Sequence, residues 1–166
     1  LRQFRAKGQA DFAAAGRQAG HLRPDEMHIR QAFEGQPYMH FIGAEMTGLS
    51  PGSCEIRLPF RPELSQHDGF FHGGVIGAIA DNACGFASYT VAGASQAILT
   101  VEYKLNIVSP GIGEALVARG RIVKPGRRLV IAQADVHAIR DGREKLVATS
   151  LSTLMLLDPE ERGARA

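Results

Sequence analysis

The sequence has little cysteine. Two residues, Cys54 and Cys84, in 166 are too few for the disulfide framework that staples small secreted domains. Cys84 falls in an apolar stretch, which points to a reduced, cytoplasmic protein. Charge of one sign is not in excess either: 19 Lys and Arg against 17 Asp and Glu give a formal net charge of +2. That balance gives no reason to expect nucleic acid as a partner. No apolar run approaches the ~18–20 residues needed to span a bilayer, so no membrane association is expected. The opening stretch LRQFRAKGQADFAAAGRQAG has one acid, Asp11. It lacks the continuous apolar core of a secretory signal, although organellar transit segments share some of its composition. Internal repeats and a second domain are also missing.

What is present suits one domain with a sizeable core: 45% of residues are hydrophobic and 22% charged. RPDEMHIRQAFEG reads as a short helix, started by Pro24, Asp25 and Glu26 and stopped by Gly35, with Met27, Ile29 or Arg30, and Phe33 as its face. Strand-like runs follow at about His40 to Thr47 and Cys54 to Phe60, parted by the turn SPGS. From about Gly73 to Val91 a helix is apolar or small all round, the pattern of a helix enclosed by protein. In QAILTVEYKLNIVSP the apolar residues Ala97, Leu99, Val101, Tyr103, Leu105 and Ile107 alternate with Thr100, Glu102, Lys104 and Asn106. Further long strands are parted by KPGR and RDGR, both good hairpin turns. Long antiparallel strands and one central helix give an α+β layer. The organisation expected is an N-terminal extension with a short helix (1–36), the sheet-and-helix domain (37–157) and a polar, frayed tail (158–166).

Within GFFHGGVIGAIADNACGFASY, Asp81 is an acid among small and apolar neighbours, and His72 precedes two glycines at the helix start. Nine residues at ~100° each place Asp81 about half a turn away from His72 and about 13 Å further along the axis. Within one chain the two cannot act on the same atom. A twofold dimer with antiparallel central helices would bring His72 of one chain beside Asp81 of the other, twice over. Gly73 and Gly74 expose backbone N–H groups at the positive end of the helix, where a substrate carbonyl can approach closely and an oxyanion can be held. A facing aspartate could attack that carbonyl or activate a water.

The run QHDGFFHGG followed by Asp81, together with TVEYKLNIVSPG and the order of strands, resembles the PaaI-like acyl-CoA thioesterases of the hotdog-fold superfamily. The likeness spans about Phe41 to Leu157. It implies a long antiparallel sheet wrapped around one central helix, in a dimer or a dimer of dimers, that hydrolyses acyl-CoA without metal or cofactor. Asp81 would be base or nucleophile, and the Gly74 N–H, with Gly73 beside it, would polarise the thioester carbonyl. His72 would assist at the carbonyl or thiolate side. Gln66 stands where an Asn is usual, and Thr100 where some members hold a water with Ser or Thr. Lys124, Gly126, Arg127 and Arg128 occupy a turn that often meets the CoA phosphates.

Plainer readings exist for each residue. Asp81 could pair within a polar core network, because an unpaired buried carboxylate costs several kcal/mol. His72 could be structural, and the basic turn a solvated hairpin tip. Of Phe70 and Phe71, one is expected in the core and one lining an acyl tunnel. His67, Asp68 and His72 do not make the three or four rigidly held ligands of a typical metal site. Cys84 lacks the exposure of a nucleophile, and GGVIGA lacks the Lys and Ser/Thr of a phosphate loop. The rival functions are an acyl-CoA-binding module without turnover and, on a differently spaced His with Glu or Asp, a dehydratase or hydratase.

Overall fold

The computed structural model of the chain describes residues 24–162. Helix α1 (Glu26–Glu34) starts where Asp25 accepts the His28 N–H in an N-cap bond and stops at Gly35. Ile29 and Phe33 are its buried face, whereas Met27 is 65% exposed and plays no part in the core. The strand expected from His40 is instead a second helix, α2 (Pro37–Ile42), followed by strand β1 (Glu45–Ser50). Pro37 at the helix start and Gly43 in the left-handed C-cap conformation (φ 76°) bracket that turn of helix. Met39 and Ile42 are its buried residues.

Strand β2 (Ser53–Pro59) and a 3₁₀ turn (Pro62–Leu64) lead into helix α3 (Gly73–Tyr89). The chain then forms β3 (Ala97–Ile107), β4 (Ala115–Lys124), β5 (Leu129–Arg140), β6 (Arg143–Leu157) and a one-turn helix α4 (Pro159–Arg162). The expected polar tail thus begins as helix, held by an ion pair from Arg128 to Glu161 at 2.7 Å. The six strands form one sheet in the order β1-β2-β4-β5-β6-β3, antiparallel throughout. The β5–β6 turn turns on Asp141 (φ 52°) and Gly142 (φ 70°), the positive φ pair of a tight hairpin.

Helix α3 packs against β2, β3, β4, β5 and β6, and Ile76, Ile79, Ala80, Ala83 and Cys84 are at most 1% exposed. Its closest approach is made at Gly120, where any Cβ would collide with the Ala83 carbonyl. Inward residues of β4, β5 and β6 include Leu116, Ala118, Val130, Ala132, Val136 and Leu154, all fully buried. Residues of α1 join the same core: Ile29 and Phe33 belong to its hydrophobic cluster. The sheet covers only one side of α3. Gly74 is exposed, and Ala78, Asp81, Asn82, Gly85 and Tyr89 are half-buried, so a strip along the helix is open where the sequence suggested enclosure.

Strand β3 lies at an edge of the sheet and carries a bulge. Thr100 stands opposite Leu154 and Glu102 opposite Thr153, leaving Val101 as the extra residue. The bulge splits the apparent alternation. Thr100 falls on the same face as Leu154, the face turned to α3, and so do Tyr103, Leu105 and Ile107 beyond it. Glu102, Lys104 and Asn106 face away.

Candidate functional site

His72 is the N-cap of α3, and its Nδ1 accepts the Gly74 N–H at 2.9 Å. A neutral ring bonded in this way carries its proton on Nε2, which faces outward as a donor. The Gly74 N–H expected to meet a carbonyl is therefore held by His72, and becomes available only when that ring turns away. The Gly73 N–H, at the first helical position, has no intrahelical acceptor.

Beside this helix start lies an open cleft of about 440 Å³ lined by Gln66, Phe70, Phe71, Gly73, Ile76 and the segment 107–111. Phe71 is 3% exposed and packs edge-on against Phe60 at 5.1 Å, while Phe70 is half-buried. Gln66 accepts the Asp68 N–H through Oε1, and its own backbone N–H reaches the Phe70 carbonyl at 2.8 Å, closing the loop before the helix.

Asp81 sits two and a half turns further on, in a second cleft of about 440 Å³ bordered by α1, the later turns of α3 and the start of β3. Thr100 Oγ1 donates to Asp81 Oδ1 at 2.9 Å. Burial pushes the Asp81 carboxyl above its ordinary value, and the Thr100 hydrogen bond works against that rise. A half-buried carboxylate with one oxygen held and a raised proton affinity is suited to accept a proton from water or to attack an electrophilic carbon. The thiols are not. Burial pushes Cys84 up to about 11 and Cys54 up to about 12, so both stay protonated at neutral pH.

The expected site residues thus fall into two groups on one chain. Gln66, Phe70, Phe71 and Gly73 line the first cleft, with His72 and Gly74 at the same helix end; Asp81 and Thr100 line the second. The basic turn stands apart from both sets of lining residues. Lys124 and Arg127 are exposed, Arg128 is paired with Glu161, and Gly126 has no room for a Cβ beside the Leu129 carbonyl. Among the described residues no group of three or more His, Cys, Asp or Glu is arranged to hold a metal. No helix among them is long and apolar enough to cross a membrane.

The sequence reading missed the part of α1 in this arrangement. Ala32 and Gln36 border the Asp81 cleft. Phe33 stacks edge-on against Phe86 at 5.3 Å, and Tyr89 Oη lies 3.3 Å from His28 Nε2. The spacing of Ile29 and Phe33 announced a buried face, but nothing local told which helix would receive it.

Comparison with known proteins gives a consistent picture. The model of the thioesterase superfamily matches residues 68–145. A thioesterase family protein from Silicibacter pomeroyi is 41% identical, with TM-score 0.77 over 78% of this chain and 96% of its own. A thioesterase from Haemophilus influenzae shares the fold at 20% identity, with TM-score 0.72 over 83% of this chain and 94% of its own. A Saccharolobus solfataricus protein whose name marks it as a candidate esterase is 26% identical over 125 residues, 75% of this chain and 81% of its own length.

Proposed function

Since the chain belongs to the thioesterase superfamily, with the hotdog fold, we propose that it hydrolyses acyl-CoA thioesters in a site shared between two subunits. The observation that carries this reading is the Asp81 carboxylate, held by Thr100 in the cleft between α1, α3 and β3.

Two features favour a second copy as the completing partner. The His72 end of α3 and Asp81 are about 13 Å apart along one helix, too far to act on one thioester. The open strip of α3 lies beside the edge strand β3, whose Leu99, Val101, Tyr103 and Ile107 are each about half exposed. An antiparallel pairing of two such edges would cover both and bring the first cleft of one chain to the second cleft of the other.

In this reading the thioester carbonyl lies at the N-terminus of α3, its oxygen facing the Gly73 N–H and, once His72 turns, the Gly74 N–H. Charge developing on that oxygen is met by preorganised donors and the positive end of the helix. Asp81 of the opposing chain takes a proton from water as it attacks, or attacks the carbonyl carbon itself. Either route gives a tetrahedral intermediate that collapses with loss of the CoA thiolate; in the second, water then hydrolyses the acyl–Asp81 anhydride to free the acid and restore the carboxylate. In the same reading His72, through Nε2–H, protonates the departing sulfur. Lys124 and Arg127, exposed at the β4–β5 turn, are the cations proposed for the CoA phosphates.

The test is thiol release from a panel of acyl-CoAs by the wild type and by Asp81→Asn. Release that the folded variant loses supports the reading. Tight acyl-CoA binding without release by the wild type would replace it with a binding module.

A further inference from the structure

The Asp81 cleft does not end at the carboxylate. Asp81, Gly85 and Tyr89 recur every four residues, so all three lie on one stripe of α3 and all border the cleft. At about 1.5 Å per residue, Tyr89 lies about 12 Å beyond Asp81. Of the polar side chains along the way, Asn82 Nδ2 donates to the Ala78 carbonyl at 3.4 Å and Tyr89 Oη lies 3.3 Å from His28 Nε2, while Gln36 adds an amide at the border. Much of the remaining lining is hydrocarbon, from Ala32, Phe86, Ala97 and Ile98.

Gly85 is the telling residue. Glycine is the poorest helix former after proline, and it stands in the interior of α3. The packing of this chain does not require it. A Cβ there would meet only Leu154 Cδ2, at 3.7 Å, an ordinary contact. Gly77 and Gly120 differ: a Cβ at Gly77 would press on Tyr103 Oη at 3.2 Å, and one at Gly120 would strike the Ala83 carbonyl. What the missing side chain at 85 does provide is open space in the cleft, opposite the wall made by α1. That wall is firmly seated through Ile29 and Phe33, 2% and 5% exposed.

We infer that Gly85 and α1, through Ala32, bound an acyl subsite running from Asp81 toward Tyr89, and that together they set the largest acyl group accepted. This inference rests on the thioester reading above and adds the specificity determinants. Helix α1 lies wholly before the segment matched by the family model, so one wall of the gauge is built from a part of the chain that the family model does not include, while Gly85 lies within it.

The experiment measures kcat/KM for straight-chain acyl-CoAs from acetyl to decanoyl, with the wild type, Gly85→Leu, the milder Gly85→Ala, and Ala32→Phe. Met27→Ala, on the exposed side of α1, is the control. Thermal melting and size-exclusion chromatography confirm fold and assembly for each. In the wild type's long-to-short selectivity ratio, Gly85→Leu and Ala32→Phe should each cause a fall of about tenfold or more, the scale on which apolar pockets discriminate. Gly85→Ala should give a smaller fall in the same direction, and Met27→Ala none. An unchanged ratio in folded, correctly assembled Gly85 and Ala32 variants of an active thioesterase overturns the inference and leaves the thioester reading standing. So does a profile that shifts only with Ile107→Phe, which would put the acyl group in the other cleft. A wild type that releases no thiol from any acyl-CoA overturns both.

Discussion

Thr100 and Asp81 are joined by a 2.9 Å hydrogen bond across the gap between β3 and α3, hydroxyl donating to carboxylate. It is the one side-chain hydrogen bond that counters the burial of this acid. Replacing Thr100 by Val keeps the shape and removes the donor, so the Asp81 carboxyl should rise further. If ionised Asp81 drives the reaction, the acid limb of the kcat/KM profile should move to higher pH in Thr100→Val and return in Thr100→Ser. An unmoved limb would separate Thr100 from the titrating group.

Asp81→Asn should lose activity by roughly 100- to 10,000-fold, the usual contribution of a positioned base. It should also raise stability at neutral pH. The sign follows from linkage: the folded chain holds the Asp81 proton more tightly than the unfolded chain does. Stability from this group therefore falls as pH rises from its ordinary value of 3.8 through the raised folded value, and stays lower above it. Asparagine escapes that loss and can still accept from Thr100. Melting curves of both proteins should differ at pH 7 and converge below the ordinary value.

The two-chain site can be tested by complementation. Gly74→Pro removes the N–H bonded to His72 at a helix-start position where proline is tolerated. Mixed with Asp81→Asn and allowed to exchange, about half the dimers would be hybrids, each with one intact site of two. Activity should recover to about a quarter of wild type. Confirmed exchange with no recovery would place all the chemistry on one chain.

Stability rests heavily on the contact of α3 with the sheet. Ile79→Ala should cost about 2–5 kcal/mol by denaturant melting. Gly120→Ala should cost at least as much despite adding only a methyl, because the Ala83 carbonyl occupies that space.

Much of this structure was legible beforehand. Asp25 and Gly35 mark the ends of α1, and the small-residue run marks α3. The positive-φ residues of the RDGR turn sit where they were expected. Phe41 and Ile42 misled, since a short apolar run fits helix and strand alike; Pro37 and Gly43 were the local signals that favoured helix. Thr100 illustrates a different limit. By alternation it belongs with Glu102 and Lys104, and only pairing with β6 reveals the extra residue that parts them. The docking of α1 was out of reach for a simpler reason: Phe33 meets Phe86 across 53 residues (86 − 33), and no local pattern specifies such a meeting.

The separation of His72 from Asp81 along one helix has a consequence in mass action. In a site drawn from two chains, the number of competent sites follows the product of two chain concentrations once the protein is diluted below its dissociation constant. Specific activity would then fall in proportion to total protein. The turnover rate would serve as a direct gauge of how many molecules have found each other, with the substrate favouring the associated form.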